Sequence, residues 1–382
     1  MKRFFLLSCI GEWLLLLAAL TAAGAYAGES KENLQVEWQR TVDAAKKEGR
    51  LDVHINVAQV PILDAGVFQK QFPQIKLMHL AWRGGEPIQR ILAERRAGKY
   101  LADVHIGGVT TNLSLYRGNA LDPIKPVLIL PEVVDESKWW HGQHRYGDPE
   151  RAYAFNYVGV PQTVDVSYNT RFADSKELRS LWSLLEPKWK GKIVALDPRA
   201  GGPGGGTLRF IYHHDKFGPD FIRRFFSSKA AVLTRDRRQA VDWLAAGKFA
   251  LCFLCSDSDV QRARLQGLPV DTFEAVEGAA GLVTQAGSVG LLNRAPHPNA
   301  AKILINWLLS REGQITLQGA IAKSGGLAPD SLRIDIPKDD VVPKNRRLDK
   351  VQYLAMDIPS RLDTEPVIFK LVEDSLAEAE RK

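Results

Sequence analysis

Leu51-Asp-Val-His-Ile-Asn56, Ile75 to Leu80 and Ala102-Asp-Val-His-Ile-Gly107 are three short strand-like runs, and the segments around them carry helical spacing. Leu34, Val36, Trp38, Val42 and Ala45 predict a helix that Gly49 ends. Val67, Phe68 and Phe72 mark a second, closed by Pro73, and Ile88, Ile91, Leu92 and Ala97 a third, stopped by Gly98. Strands separated by helices of this length pair in parallel, because a parallel crossover needs about a dozen residues or more. The first third of the chain reads as an α/β lobe.

The alternation resumes further along. Tyr157 to Tyr168 reads as extended chain running into Asn169-Thr170. Ile193-Val-Ala-Leu196 predicts a strand, followed by a glycine-rich turn and a helix through Leu208 and Phe210-Ile211. Phe221, Ile222, Phe225 and Phe226 mark another helix, as do Val241, Trp243 and Leu244 before Gly247. A second lobe therefore begins near Tyr157. Trp139 to Arg151 holds two Trp, two His and several charges without periodicity, which predicts a long surface loop.

The chain has 382 residues, 45% hydrophobic and 25% charged, which excludes wholesale disorder and collagen-like or disulfide-scaffold classes. Lys and Arg number 51 against 44 acids, a net charge of +7 spread without a basic run, so no nucleic-acid partner is indicated. Residues 1–27 read as an export signal: Lys2 and Arg3, an apolar stretch from Phe4 to Leu20, and Ala25-Tyr26-Ala27 before Gly28. Glu12 interrupts the apolar run, which argues against an uncleaved membrane anchor. Cleavage after Ala27 leaves 382 − 27 = 355 residues, expected in the periplasm.

Cys252 and Cys255 are the cysteines of that mature chain. Their spacing suits a redox motif or half a metal site, but Phe249-Ala-Leu-Cys-Phe-Leu-Cys255 reads as a buried strand. In a strand, positions three apart lie roughly 10 Å apart and face opposite ways, so two buried thiols are expected.

Ligands of open α/β sheets bind beyond the C-terminal strand ends, where helix N-termini present unpaired N–H groups. Four segments have that position: Asn56 to Gln59, Trp82-Arg83-Gly84-Gly85-Glu86, Gly107 to Thr111, and Arg199 to Thr207. The last holds five glycines in six positions, which lets backbone approach a ligand, with Thr207 positioned to cap the helix. No Lys follows those glycines, so it is not a P-loop. Arg83 and Arg199 beside these turns suit a carboxylate or phosphate, unless they are plain surface charges. Asp257, after the cysteine strand, is either a ligand acceptor or part of a helix cap at Ser256-Asp257.

Enzyme signatures are weak. Ala286-Gly-Ser-Val-Gly290 lacks the first glycine of a nucleophile elbow at Ser288, and no H-E-x-x-H occurs. His141 and His144 would suit a metal only on a helix and lack a carboxylate pattern nearby; a core or surface role fits His213 and His214 better.

Leu181-Trp-Ser-Leu-Leu-Glu-Pro-Lys-Trp-Lys-Gly-Lys-Ile193, followed by Asp197-Pro198, resembles a segment of bacterial extracellular solute-binding proteins. Val166-Ser-Tyr-Asn-Thr170, Ala246-Gly-Lys-Phe-Ala-Leu251, and His297-Pro-Asn-Ala-Ala301 through Trp307-Leu-Leu-Ser-Arg-Glu-Gly-Gln314 fit the same pattern in order. The chain is similar to the ferric-iron-type branch of periplasmic binding proteins serving ABC importers. That resemblance implies an α/β, two-lobed type 2 fold, each lobe a mainly parallel sheet flanked by helices, joined by hinge strands. Lobe I is expected over 28–125 and 281–330, lobe II over 126–280 and 331–382, with crossings near 120–165 and 275–290. The C-terminal helix would pack on lobe II through Val367, Ile368, Leu371, Val372 and Leu376.

Relatives that bind bare ferric ion use an adjacent tyrosine pair where this chain has Ser256-Asp257-Ser258-Asp259, and a carboxylate near Gly107–Gly108 that is missing here. Hard Fe(III) wants anionic oxygen ligands, so a small organic anion or anionic chelate is the expected solute. Trp82, Arg83, Gly84, Thr110, Arg199, Gly205, Thr207 and Asp257 are the expected contacts. No cofactor, resident metal or covalent chemistry is expected; the partners are the solute and a membrane permease, and the protein is expected to be a monomer. The alternatives are iron bound through other ligands, a ligand-sensing module, and a hydrolase built on Ser288.

Overall fold

A computed structural model describes residues 32–83, 85–200, 203–275 and 279–381. The expected export signal, residues 1–27, lies outside the described residues. None of the described helices is long and apolar enough to cross a membrane.

Two sheets carry the molecule. The first is built on β1 (Arg50–Asn56), β2 (Lys76–Trp82) and β3 (Val104–Gly107), all parallel, with Arg50 opposite Lys76 and Val53 opposite Val104. It continues through β14 (Ser288–Leu292), β6 (Ala154–Asn156) and β5 (Arg145–Tyr146), each antiparallel to the one before, while β4 (Leu121–Asp122) lies beside the end of β14. The second sheet has the order β10 (Ala231–Thr234), β9 (Ile193–Leu196), β11 (Leu251–Phe253), β8 (Val164–Asn169), β12 (Val270–Ala275). Three parallel strands followed by a reversed one thus occur in both lobes.

Alternation places β1 between helices. Leu51, Val53 and Ile55 are buried in a core shared with the helix Pro298–Leu309, whose Ile303, Leu304 and Trp307 face the sheet. In lobe II, Phe221, Ile222, Phe225 and Phe226 recur at i, i+1, i+4 and i+5, and all four are buried under the C-terminal helix Glu365–Arg381. Ile368 and Val372 of that helix are buried and Leu371 and Leu376 pack against the same core, but Val367 is 55% exposed and leaves the expected stripe.

A third, small sheet joins the lobes. β7 (Val160–Gln162) and β13 (Gly281–Val283) run antiparallel, and β15 (Leu354–Ala355) adds to β13 in parallel. The C-terminal segment then touches both halves. Leu362 packs on Val109 and Leu113 and Asp363 pairs with Arg117 on the lobe I side, while Thr364 meets His213 of lobe II at 3.1 Å.

Three expectations are corrected. Trp139 to Arg151 is not a surface loop: Trp139 is 1% exposed, its indole N–H donates to Val133 O, and the His144 ring bonds the same carbonyl at 2.9 Å. The segment carries β5 into the first sheet, so 126–158 sits with lobe I, and so do Ser331 to Arg333, which bridge Val158 and Trp139. The lobe boundaries at 125 and 330 are therefore moved. Finally, Cys252 and Cys255 are disulfide-bonded. β11 stops at Phe253, Leu254 takes a left-handed φ of 60°, and the chain curls back until the two Cα atoms are 5.9 Å apart.

Candidate ligand-binding cleft

Where the parallel strands end, helices begin. β3 passes into Gly108, whose extended backbone caps the helix Val109–Arg117, so the first-turn amides of Val109 and Thr110 point outward. β9 leads to the helix Pro203–His213, which presents Gly206, Thr207 and Arg209. β11 leads through the disulfide turn to the helix Asp257–Leu265. The starts of the helices Val109–Arg117 and Asp257–Leu265 and the second turn of Pro203–His213 surround a cleft of about 470 Å³, floored by Val160 to Thr163, Val283 and Gln285 of the hinge region. Lys344, Asp357 and Glu365 of the C-terminal segment complete the wall. The volume suits a small solute.

The wall is polar and of both signs. Lys344 pairs with Asp257. Arg209 and Asp357 form an ion pair at 3.6 Å. Burial pushes the Asp357 carboxyl above its ordinary range, against the opposing pull of the Thr284 N–H bond and the Arg209 charge. Arg209 Nε and Gln162 Oε1 are buried and without partners among the described residues, although Gln162 Nε2 donates to Gly206 O at 3.4 Å and so ties hinge to helix. A buried donor left unmade costs about 1–3 kcal/mol, which a ligand oxygen on Arg209 would relieve.

Thr110, Thr207 and Asp257 come together on this cleft. Gly205 does not: a Cβ there would meet Glu365 Oε1 at 2.9 Å and Phe369 Cζ at 3.5 Å, so it faces the C-terminal helix, and Gly206 takes its place. Arg199 folds back on its near neighbour Asp197, Nε to Oδ1 at 2.8 Å and Nη2 to Oδ2 at 2.9 Å, away from the cleft. Trp82 lines a separate crevice with Asn56, His105 and Thr111, under the Arg90 guanidinium. Arg83 is exposed at the end of β2, and Gly84 lies outside the described residues. Arg209, Lys344, Asp357, Gln162 and Gln285 are cleft residues that pattern reading missed; Arg209, two positions beyond Thr207, had the closest signal.

Ser288 is fully buried as the first residue of β14 instead of standing on a strand-to-helix turn, and its Oγ accepts from Asn112 Nδ2 at 3.0 Å. His105 Nδ1 meets Asn112 Oδ1 at 2.9 Å, so the imidazole donates there and does not reach the serine. His144 is held by a backbone carbonyl, as described above. Among the described residues, the one group with metal-ligating geometry is Asp52, Asp103 and His297, at the opposite end of lobe I. Arg50 clamps Asp52 at 2.7 and 2.9 Å, and Asp103 accepts from the Asp52 and His297 backbone N–H groups, so those carboxylates are already committed.

Residues 153–320 match the family model of bacterial extracellular solute-binding proteins. Among curated proteins, none matches the chain. Solved structures with the same architecture include Trichodesmium IdiA (FutA) in complex with iron and citrate, 16% identical, covering 86% of this chain and 99% of that one with a TM-score of 0.60. AfuA of Actinobacillus pleuropneumoniae, a periplasmic binding protein with fructose-6-phosphate bound, is 19% identical over 87% and 99% with a TM-score of 0.60. The substrate-binding protein of an ABC transporter from Agrobacterium tumefaciens is 14% identical over 86% and 95%, again at 0.60. At these identities the likeness establishes the two-lobed periplasmic-binding fold.

Proposed function

We propose that this chain is the periplasmic solute receptor of an ABC importer, that it closes its lobes on a small organic anion or anionic chelate, and that it changes no bonds. The observation that carries this reading is the convergence of two helix starts, one from each lobe, and the second turn of a third helix on one cleft above the joining sheet. The positive ends of the helices beginning at Val109 and Asp257, the free Nε of Arg209 and the ammonium of Lys344 favour an anion. Export with cleavage after Ala27, action as a monomer and transient docking on a permease complete the reading.

Closure follows from differential affinity. A ligand that bridges Thr110 on one side and Thr207, Arg209 and Asp257 on the other binds the closed form more tightly and shifts the population toward it. Moving the ratio from 1:99 to 99:1 takes about 5.5 kcal/mol. Two or three hydrogen bonds to charged groups, at about 1.5–3 kcal/mol each, supply that.

The test is a thermal-shift screen of the mature protein over organic acids, phosphonates, polyamines, thiamine and ferric chelates. A ligand at 100 times its Kd stabilises by about 2.7 kcal/mol. Anions are the expected hits. A response to free ferric ion alone, with visible ligand-to-metal absorption, would overturn the solute class.

A further inference from the structure

Successive residues of a strand face opposite ways. Along the chain from Leu282 to Gln285, Val283 and Gln285 line the cleft, whereas Leu282 and Thr284 line a second cavity of about 410 Å³ on the other face. Among the described residues, only Asp357 lines both. The far wall of this second cavity is built from β5 and β6, with Arg145, Tyr146, Arg151 and Asn156. Arg145 and Asn156 sit directly opposite each other in that strand pair.

Three buried polar atoms of this wall have no partner among the described residues: Arg145 Nε, Tyr146 Oη and Asn156 Oδ1. Asn156 is itself only 4% exposed. Among the described residues, no carboxylate lies within ion-pair distance of Arg145; its guanidinium stacks on Trp140 at 4.5 Å, and Arg347 covers the same ring at 5.2 Å. The acids nearby are committed. Asp148 accepts from the Ala152, Tyr153 and Ala154 N–H groups at 2.9–3.0 Å, and Asp357 faces Arg209 and the Thr284 N–H. Burial and the charges of Arg347 and Arg151 all disfavour the Arg145 cation, while the two carboxylates of the lining, Asp148 and Asp357, are held by other groups.

We propose that the second cavity is an anion site, distinct from the cleft, that takes a small hydroxylated oxyanion. Arg145 holds a carboxylate or phosphate oxygen, Tyr146 donates its hydroxyl hydrogen to the same group, and a ligand hydroxyl donates to Asn156 Oδ1. Burial pushes the Tyr146 phenol up, which keeps it a donor at neutral pH.

The experiment uses the mature protein carrying Lys344→Gln, which removes a cleft cation, with malate, succinate and inorganic phosphate titrated calorimetrically. Binding of phosphate and of malate ahead of succinate is expected to persist in that background. Adding Arg145→Gln is expected to weaken both by about tenfold or more, and Tyr146→Phe, which deletes one hydroxyl and preserves the fold, by several-fold. Persistence of binding in both added variants, or no binding of any of the three anions, overturns the proposal. Loss of binding on Lys344→Gln alone assigns the anion to the cleft, which also overturns it and leaves the importer reading standing.

Discussion

Arg209 and Asp357 face each other at 3.6 Å with side chains 7% and 9% exposed, on the partition between the two cavities. Removing one partner of a buried pair leaves the other charge stranded. Asp357→Ala is expected to lower stability by about 3–5 kcal/mol in urea unfolding, and Asp357→Asn by less, since an amide oxygen still accepts from the Thr284 N–H. Burial raises this carboxyl in the folded state, so its proton-linked stability is full below the ordinary carboxylate range and is lost as pH rises through the raised value. Stability of Asp357→Asn should therefore fall less than wild type between mildly acidic and neutral pH.

His105 titrates the opposite way. Complete burial pulls the imidazole down to about 4, with the Asn112 bond opposing and the charge of His54 adding. The unfolded chain takes up its proton near 6.5 and the folded chain does not, so this group's stability is present above about pH 6.5 and disappears as pH falls toward 4. The loss attributable to it is about 3 kcal/mol. Denaturation midpoints between pH 7 and pH 4.5 should show a decline that His105→Gln reduces.

The Cys252–Cys255 bridge closes a very short loop, for which chain entropy gives about 2 kcal/mol. Cys252→Ala with Cys255→Ala should lower unfolding free energy by that amount, and dithiothreitol should do the same to the wild type. Because the bridged turn immediately precedes Ser256 and Asp257, solute affinity should drop as well, read by titration with a hit from the screen.

Lys344→Gln unpairs Asp257 and leaves the cleft more acidic. An anionic solute should then bind about tenfold or more weakly, with the melting temperature of the empty protein shifted little. Equal affinity in wild type and variant would remove Lys344 from the site. Thr110→Val, which deletes one hydroxyl at the lobe I rim, should cost a smaller factor in the same titration.

Much of the architecture was readable because it is local. Leu51 to Asn56 and Ile193 to Leu196 alternate or run apolar as strands do, and strand-to-helix junctions located Thr110, Thr207 and Asp257. What escaped depends on distant partners. Trp139 and His144 look like surface residues until the Val133 carbonyl satisfies both. Arg199 looked free because nothing in a spacing rule says that Asp197 would capture it. Cys255 required the left-handed Leu254, a conformation rare for that residue type. Lys344 and Asp357 lie in a tail without periodicity, which reaches the cleft only through its contacts with both lobes.

Those contacts change what motion the molecule permits. With β15 laid beside β13 and Leu362 seated between Val109 and Leu113, the tail is a tether fastened at two ends. Wide gaping between the lobes would have to unfasten Leu362 or the Arg117–Asp363 pair first, so the tail limits how far the two halves can part.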